Sequence, residues 1–210
     1  MTIRFVLNGA EHEVEPHDGE SALEVLRNRC GIRATKDGCR PQGQCGACLA
    51  LVDGRPLTTC VLPAAKLDGR AITTLEGVSD EERDLLARSF AAAVGHQCGF
   101  CIPGIALRTK ALVEKNPTPT RPEIRKALHA HLCRCTGYAK ILDAIELYAA
   151  ARRGEADPRP GTDGRLGRRL ARSGATSEIL GDRPYVDDLD FPGMLHGALV
   201  LSPPSSRCWS

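Results

Sequence analysis

The stretch KDGCRPQGQCGAC, residues 36–48, decides how the first part of this chain folds. It is too rich in glycine and proline for a helix or strand, so we expect a loop. Its three cysteines are followed by a fourth, in the spacing C-x5-C-x2-C-x11-C. Gly43 and Gly46 let backbone amides turn inward and donate hydrogen bonds to sulfur, as an iron–sulfur cluster requires. The sequence therefore predicts a first [2Fe–2S] site at Cys39, Cys45, Cys48 and Cys60.

Zinc is the alternative at this first site. The plant-type ferredoxin spacing is C-x4-C-x2-C, and this loop is one residue longer between its first two cysteines. A zinc site with four cysteines normally pairs two C-x2-C turns on separate segments. Three ligands in one loop favour the bulkier cluster.

Short strands flank the cysteine loop. Asn8-Gly9 and Asp53-Gly54 each favour the positive φ angles of a hairpin turn, and each lies between β-prone runs. A helix begins at Ser21 and ends at Gly31. The predicted order is two strands (3–7, 11–15), this helix, the loop, two strands (49–52, 57–60) and a last strand (71–74). That order is compatible with a ferredoxin-like β-grasp domain over residues 1–77.

Helical periodicity replaces the strand pattern from Ser79 onward. Ser79 with Glu82, and Thr120 with Glu123, have the spacing of capping boxes. Pro103 can occupy the first turn of a helix that Asn116-Pro117 ends. We predict four helices, beginning at Ser79, Pro103, Thr120 and Tyr138, in one all-α domain over residues 78–153.

A second set of cysteines lies in this helical part, in the spacing C-x2-C-x31-C-x-C. Each pair comes just before a predicted helix. The positive end of the helix dipole and the free amides there stabilise thiolates and a negatively charged cluster. Structural zinc remains the alternative, although C-x-C is uncommon for it. The sequence therefore predicts a second [2Fe–2S] site at Cys98, Cys101, Cys133 and Cys135.

The remaining cysteines and two histidines receive structural interpretations. Cys30 is expected to be a small buried hydrophobic residue at a helix end, and Cys208 a thiol of the tail. His129 and His131 fall outside the pairing of a Rieske centre and are interpreted as polar residues at a helix end.

Composition excludes several functional classes. Lys and Arg total 28 against 26 for Asp and Glu, so the net charge of +2 would not recruit nucleic acid or an anionic membrane. The N-terminus has no apolar run typical of a signal peptide, and no segment approaches the roughly 20 apolar residues that span a bilayer. Ten cysteines in a reducing compartment indicate metal rather than disulfides. We expect a cytoplasmic protein with no nucleic-acid or membrane partner.

Four segments in order resemble the iron–sulfur small subunit or domain of the molybdenum hydroxylases, the family of xanthine dehydrogenase, aldehyde oxidase and carbon monoxide dehydrogenase. They are CGACLALVDG (45–54) with Cys60, TTLEG (73–77), QCGFCIPG (97–104) and HLCRCTGY (131–138). The resemblance covers about residues 1–150. Ile102 replaces the usual Thr and His131 a common Asn, and neither change touches a ligand.

The resemblance implies a fold, cofactors and partners. The fold class is α+β, with a β-grasp [2Fe–2S] domain, a four-helix [2Fe–2S] domain and a mostly irregular tail. The second cluster is implied to face a molybdopterin-type molybdenum cofactor in a large subunit, separate or fused. The first is implied to pass electrons to a flavin, with FAD in a partner subunit. Gln97 is implied to hydrogen-bond the pterin, and Cys135 to ligate iron beside it.

The tail divides into two segments. Residues 154–177 are rich in Arg, Gly, Asp and Pro and are interpreted as a linker. Residues 181–204, GDRPYVDDLDFPGMLHGALVLSPP, resemble the opening of the family's large subunit. We therefore interpret residues 178–210 as the truncated start of a fused molybdenum-subunit-like domain, and expect it to be loosely held.

The functional hypothesis is the electron-transfer part of an oxidoreductase, with no substrate catalysis by this chain alone. No Ser/His/Asp set, phosphate loop or paired carboxylates suggest substrate activation. The alternatives are a free-standing ferredoxin-like carrier and a zinc-stabilised binding module. A simple ferredoxin would not need the helical domain.

Overall fold

A five-stranded mixed sheet forms the first part of the chain in a computed structural model, which describes residues 1–167, 170–195 and 197–200. The strand order is β2-β1-β5-β3-β4, with β1 and β5 parallel and the other neighbours antiparallel. Asn8 and Gly9 have φ angles of 52° and 86°, as the hairpin prediction requires. The strands are β1 (Ile3–Leu7), β2 (Ala10–Val14), β3 (Leu49–Val52), β4 (Arg55–Thr58) and β5 (Ala71–Thr73).

One helix packs on this sheet. Helix α1 (Ala22–Glu24) begins at a capping box between Ser21 and Glu24 and continues as a π-helix over Val25–Arg29. Its apolar side chains meet those of β1 in a buried core that includes Ile3, Phe5, Leu26 and Ile72. The predicted β-grasp order of strands and helix is confirmed.

The helical part contains the expected elements. They are α2 (Asp80–Ala92), α3 (Ile102–Lys115), α4 (Arg121–Ala127) and α5 (Ala139–Arg152). The capping box of α4 forms between Thr120 and Glu123. The one predicted for α2 does not form, because the Glu82 carboxylate instead accepts hydrogen bonds from Tyr148 and Arg152 of α5.

A further helix crosses the predicted boundary between the linker, residues 154–177, and the segment that begins at residue 178. Helix α6 (Ala175–Leu180) packs against α2 and α3 with Ile179 and Leu180 buried. Glu178 is also buried and lies within ion-pair distance of Arg172 and Arg183. Residues 178–210 were expected to be loosely held, but ionic contacts and two buried apolar residues attach residues 175–183 to the helical part. Cys208 lies outside the described residues.

The sheet and the helices share one apolar core. Leu49 and Leu51 of β3 pack in the same buried cluster as Phe90 of α2 and Ile105 of α3. Gly104 of α3 lies so close to the carbonyl of Gly46 that a Cβ would collide with it. The second part is thus fixed against the first cysteine loop. Among the described residues, no helix is long and apolar enough to cross a membrane.

Candidate iron–sulfur sites

The first cysteine set comes together at one end of the sheet. Cys39, Cys45 and Cys48 lie in the loop before β3, and a 3-10 turn after β4 brings Cys60 to them. Cys45, Cys48 and Cys60 are at most 5% exposed, whereas Cys39 is partly exposed. The side chain of Cys39 interacts with that of Cys45, and Cys48 with Cys60. The hairpin β3–β4 therefore completes a site that the loop begins.

Backbone amides in the loop favour the thiolate of Cys39. Its sulfur accepts a hydrogen bond from the Gln42 N–H at 3.3 Å. Burial raises the pKa of Cys39, but the N–H groups of Gln44, Gln42 and Cys45 lower it to about 7. Burial raises the pKa of Cys60 to about 12. Binding of a metal centre would deprotonate its cysteine ligands.

The second cysteine set comes together before two helices. Cys101 occupies the position just before α3, and Cys133 and Cys135 lie in the turn that enters α5. The sulfurs of Cys98 and Cys135 are 3.5 Å apart, and Cys101 interacts with Cys133. Cys98 and Cys135 are exposed, whereas Cys101 and Cys133 are buried. This site therefore has one open side.

The environment of the second set differs from one thiol to the next. Burial raises the pKa of Cys133, but hydrogen bonds with the hydroxyl and N–H of Thr136, the N–H of Cys135 and the side chain of Cys101 together outweigh it and bring the pKa below its usual value. The hydroxyl of Thr136 lies 2.8 Å from the Cys133 sulfur. Burial raises the pKa of Cys98 and Cys101. Binding of a metal centre would deprotonate these thiols.

The pairing of the thiols fits clusters of two irons. Each set divides into two close pairs, and four cysteines ligating two irons is the requirement of a [2Fe–2S] cluster. A single ion bound by four cysteines, as in a tetrahedral zinc site, would draw all four sulfurs to one centre rather than into two pairs. The donor set fits cluster binding better than zinc. The pairs are Cys39 with Cys45, Cys48 with Cys60, Cys98 with Cys135, and Cys101 with Cys133.

The two sets adjoin one another. A cavity of about 260 Å³ is lined by Cys45 of the first set and by Cys98, Cys101 and Cys135 of the second. The N–H of Leu132, next to Cys133, donates to the Cys45 carbonyl at 2.9 Å. One backbone hydrogen bond thus links the two cysteine loops directly.

Gln97 and Cys135 lie together at the open side of the second set. The side-chain amide of Gln97 donates to the Cys135 carbonyl at 3.2 Å, and both residues are exposed. Arg172 donates to the Gln97 carbonyl. The contact with a pterin predicted for these two residues stays a prediction.

Two residues near the second set have roles that the sequence did not indicate. Tyr138, interpreted as an apolar helix residue, has a φ of 72°; its hydroxyl accepts from the Cys133 N–H at 2.8 Å and donates to the His131 carbonyl at 2.9 Å. It therefore holds the C-x-C turn. His131 is 4% exposed rather than a polar helix end, and burial lowers its pKa to about 4. The sequence feature that could have indicated the unusual backbone conformation of Tyr138 is its position directly after Gly137. Cys30, which was expected to be buried, is only partly buried and packs against the core of the sheet.

The comparisons with known proteins agree with this geometry. Residues 5–74 match the family model of the 2Fe-2S iron-sulfur cluster binding domain, and residues 74–146 match that of the [2Fe-2S] binding domain. The nicotinate dehydrogenase small FeS subunit of Eubacterium barkeri is 42% identical over 153 residues, which are 72% of this chain and 96% of that protein. The chain belongs to the iron–sulfur subunits of the molybdenum hydroxylases. It is the electron-transfer part of an oxidoreductase.

Other members of the molybdenum hydroxylases show how far the similarity extends. The aldehyde oxidoreductase of Megalodesulfovibrio gigas is 36% identical and covers 93% of this chain, which spans 23% of that protein. The crystal structure of the aldehyde oxidoreductase from Desulfovibrio desulfuricans ATCC 27774 superposes with a TM-score of 0.81 at 31% identity, over 89% of this chain and 22% of that one. Quinoline 2-oxidoreductase from Pseudomonas putida 86 gives a TM-score of 0.65 at 40% identity, over 74% of this chain and 98% of that one. The iron–sulfur part is thus similar to whole small subunits and to part of larger proteins.

Proposed function

We propose that the chain conducts single electrons between a molybdenum-containing subunit and a flavin or other acceptor. The observation that carries this proposal is the shared cavity between the two cysteine sets, together with the Leu132–Cys45 hydrogen bond. Each bound [2Fe–2S] cluster would accept and release one electron at a time. The protein provides two adjoining sites and a short covalent and hydrogen-bonded path between them.

The proposed ligands form two separate cluster sites. Cys39, Cys45, Cys48 and Cys60 would hold the first cluster, and Cys98, Cys101, Cys133 and Cys135 the second. The N–H groups around Cys39 and the Thr136 hydroxyl near Cys133 would favour the thiolates. These hydrogen bonds also tune the reduction potential of a bound cluster.

The open side of the second set is the proposed docking face for the molybdenum partner. Cys98, Cys135 and Gln97 are exposed there, and the side chain of Leu132 is also exposed. Gln97, with its side chain already directed at Cys135, would contact the pterin of a molybdopterin-type cofactor. The partner would be a large molybdenum-binding subunit, separate or fused. A flavin-binding subunit with FAD would receive electrons from the first set.

Iron and sulfide analysis tests the proposal directly. The purified chain should be coloured and hold about four iron atoms and about four acid-labile sulfides, with two distinct EPR signals after reduction. A colourless preparation loaded with zinc would overturn the proposal. Copurification with a molybdenum-containing subunit is expected, and a partner-free chain with ordinary ferredoxin activity would support the ferredoxin alternative.

A further inference from the structure

The segment 182–189 crosses from the helical part to the first cysteine domain and ends in a buried ion-pair cluster. The Asp188 side chain is only 3% exposed. Its carboxylate accepts from Arg27 at 2.6 Å and lies 3.8 Å from the ammonium of Lys36. It also accepts from the Tyr185 N–H at 2.9 Å. Since Arg27 and Lys36 both belong to the first domain, Asp188 attaches the segment 182–189 to that domain.

Lys36 is a buried cation three residues before Cys39. Its side chain is 2% exposed, and its ammonium donates to the Arg33 carbonyl at 2.7 Å. Burial lowers the pKa of Lys36, and Asp188 is the strongest influence that raises it again. A buried charge that loses its partner is strongly destabilising. Asp188 therefore keeps a positive charge in place beside the first cysteine loop.

Tyr185 connects this charge to the second cysteine set. The Lys36 ammonium lies 4.9 Å from the centroid of its ring. The Tyr185 hydroxyl donates to the carbonyl of Cys98. Its ring meets Phe100 edge to face, with centroids 5.4 Å apart and planes at 82°. Tyr185 thus touches the turn that carries Cys98 and Cys101.

Phe100 is the side chain that reaches back to the first set. A Cβ built on Gly38 would lie 3.2 Å from Phe100 and 2.9 Å from the Cys45 sulfur. Phe100 also lines the cavity between the two sets. These contacts form a continuous series from Asp188 through Lys36 and Tyr185 to Phe100. Phe100 in turn lies beside the loop that carries Cys45.

We propose that Asp188 and Tyr185 are positioning residues for electron transfer between the two clusters. They fix the turn of Cys98 and Phe100 against the first cysteine loop, and they hold the positive charge of Lys36 beside that loop. The inference rests on the proposed function, because it assumes that both sites bind clusters. Net charge, hydrogen bonding and solvent exposure set cluster potentials, and electron transfer slows steeply with separation.

The test uses the full chain with its clusters assembled, in the variants Asp188→Asn and Tyr185→Phe. Asp187→Asn is the matched control, because the neighbouring Asp187 side chain is 73% exposed and lies 3.7 Å from Arg40 at the surface. For each protein, iron and sulfide content, the midpoint potentials of both clusters and the magnetic interaction between the reduced clusters in EPR spectra are measured. Hydrogen exchange over residues 174–189 reports on attachment of the tail.

We expect Asp188→Asn to keep its iron, to shift the midpoint potential of the first cluster because the charges beside the first cysteine loop are no longer balanced as before, and to alter the magnetic interaction. Tyr185→Phe should shift the potential of the second cluster, and Asp187→Asn should match the unaltered protein. Faster exchange over residues 174–189 with unchanged potentials and magnetic interaction would show a purely structural role and overturn the proposal. If Asp188→Asn does not fold, unchanged values in Tyr185→Phe overturn it. Absence of clusters from the unaltered chain would instead refute the proposed function.

Discussion

At the scale of single residues, the environment of each thiol follows from its neighbours. Cys39 is surrounded by backbone N–H groups that lower its pKa, whereas Cys101 is buried among apolar side chains that raise it. The sequence predicted which cysteines come together, because three of the first set share one loop and the second set lies at two helix entries. It did not indicate Tyr138 or His131, since their roles depend on contacts with backbone groups. Such contacts leave no periodic pattern.

Replacing one proposed ligand tests the assignment of the sites. Cys101→Ala should lose the second cluster, so that iron and sulfide fall to about half and one of two EPR signals disappears. Cys30→Ala is the control, because Cys30 lies outside both sets, against the core of the sheet. Full iron content in Cys101→Ala, or an equal loss in Cys30→Ala, would contradict the assignment.

The close approach of Gly104 to the first cysteine loop gives a second prediction. A methyl group at this position would collide with the carbonyl of Gly46, so Gly104→Ala should lower the free energy of unfolding by about 1–3 kcal/mol, as expected for overpacking. Thermal and denaturant unfolding measure this loss. In Gly197→Ala the added Cβ would meet nothing within 4 Å, so its stability should be unchanged. Equal stability of both variants would show that the two domains can separate there without cost.

At the scale of elements, the sequence predicted helices and hairpins correctly where capping residues or turn residues mark their ends. Asn8-Gly9 gave the first hairpin, and Thr120 gave the start of α4. The pattern could not reveal α6, because Glu178 is a charged residue in a polar stretch and becomes buried only through partners distant in sequence. The Ser79–Glu82 spacing wrongly predicted a capping box, because the Glu82 carboxylate accepts hydrogen bonds from Tyr148 and Arg152 of α5 instead.

The cap of α4 is a test at this scale. The Glu123 carboxylate accepts from the N–H and the hydroxyl of Thr120, each at 2.7 Å. Thr120→Ala should therefore lower the free energy of unfolding by about 1 kcal/mol. Thr118→Ala, an exposed position on the same connection, should change it by less than about 0.5 kcal/mol. Denaturant titration of both proteins makes the comparison, and equal midpoints would exclude a stabilising cap.

At the scale of the whole molecule, the two cysteine sets lie where the sheet and the helices meet. Loops with little regular structure surround both sets, including residues 36–48 and 131–138. The sequence predicted the two domains separately, because each has its own periodicity. It could not predict how they dock, since that depends on Gly46 facing Gly104 and on one hydrogen bond from Leu132.

Removing the clusters should loosen the loops before it unfolds the elements. Metal binding stabilises the folded state because the unfolded chain has no preformed site. We expect chelation of iron to lower the melting temperature and to speed hydrogen exchange over residues 36–48, 98–101 and 131–138. Exchange in the buried parts of α2 and α5 should change least, and reconstitution with iron and sulfide should restore protection. Uniform exchange across the chain after chelation would contradict this picture.

The parallel pairing of β1 with β5 has a consequence for synthesis on the ribosome. The sheet closes only when residues 71–73 have emerged, and by then all four cysteines of the first set, up to Cys60, are outside the exit tunnel. That site can be filled before Cys98 has emerged from the tunnel. The second site must wait for Cys135, and Asp188 arrives later still. The chain therefore exposes its two sites one after the other, and Asp188, which connects the two domains, follows both of them.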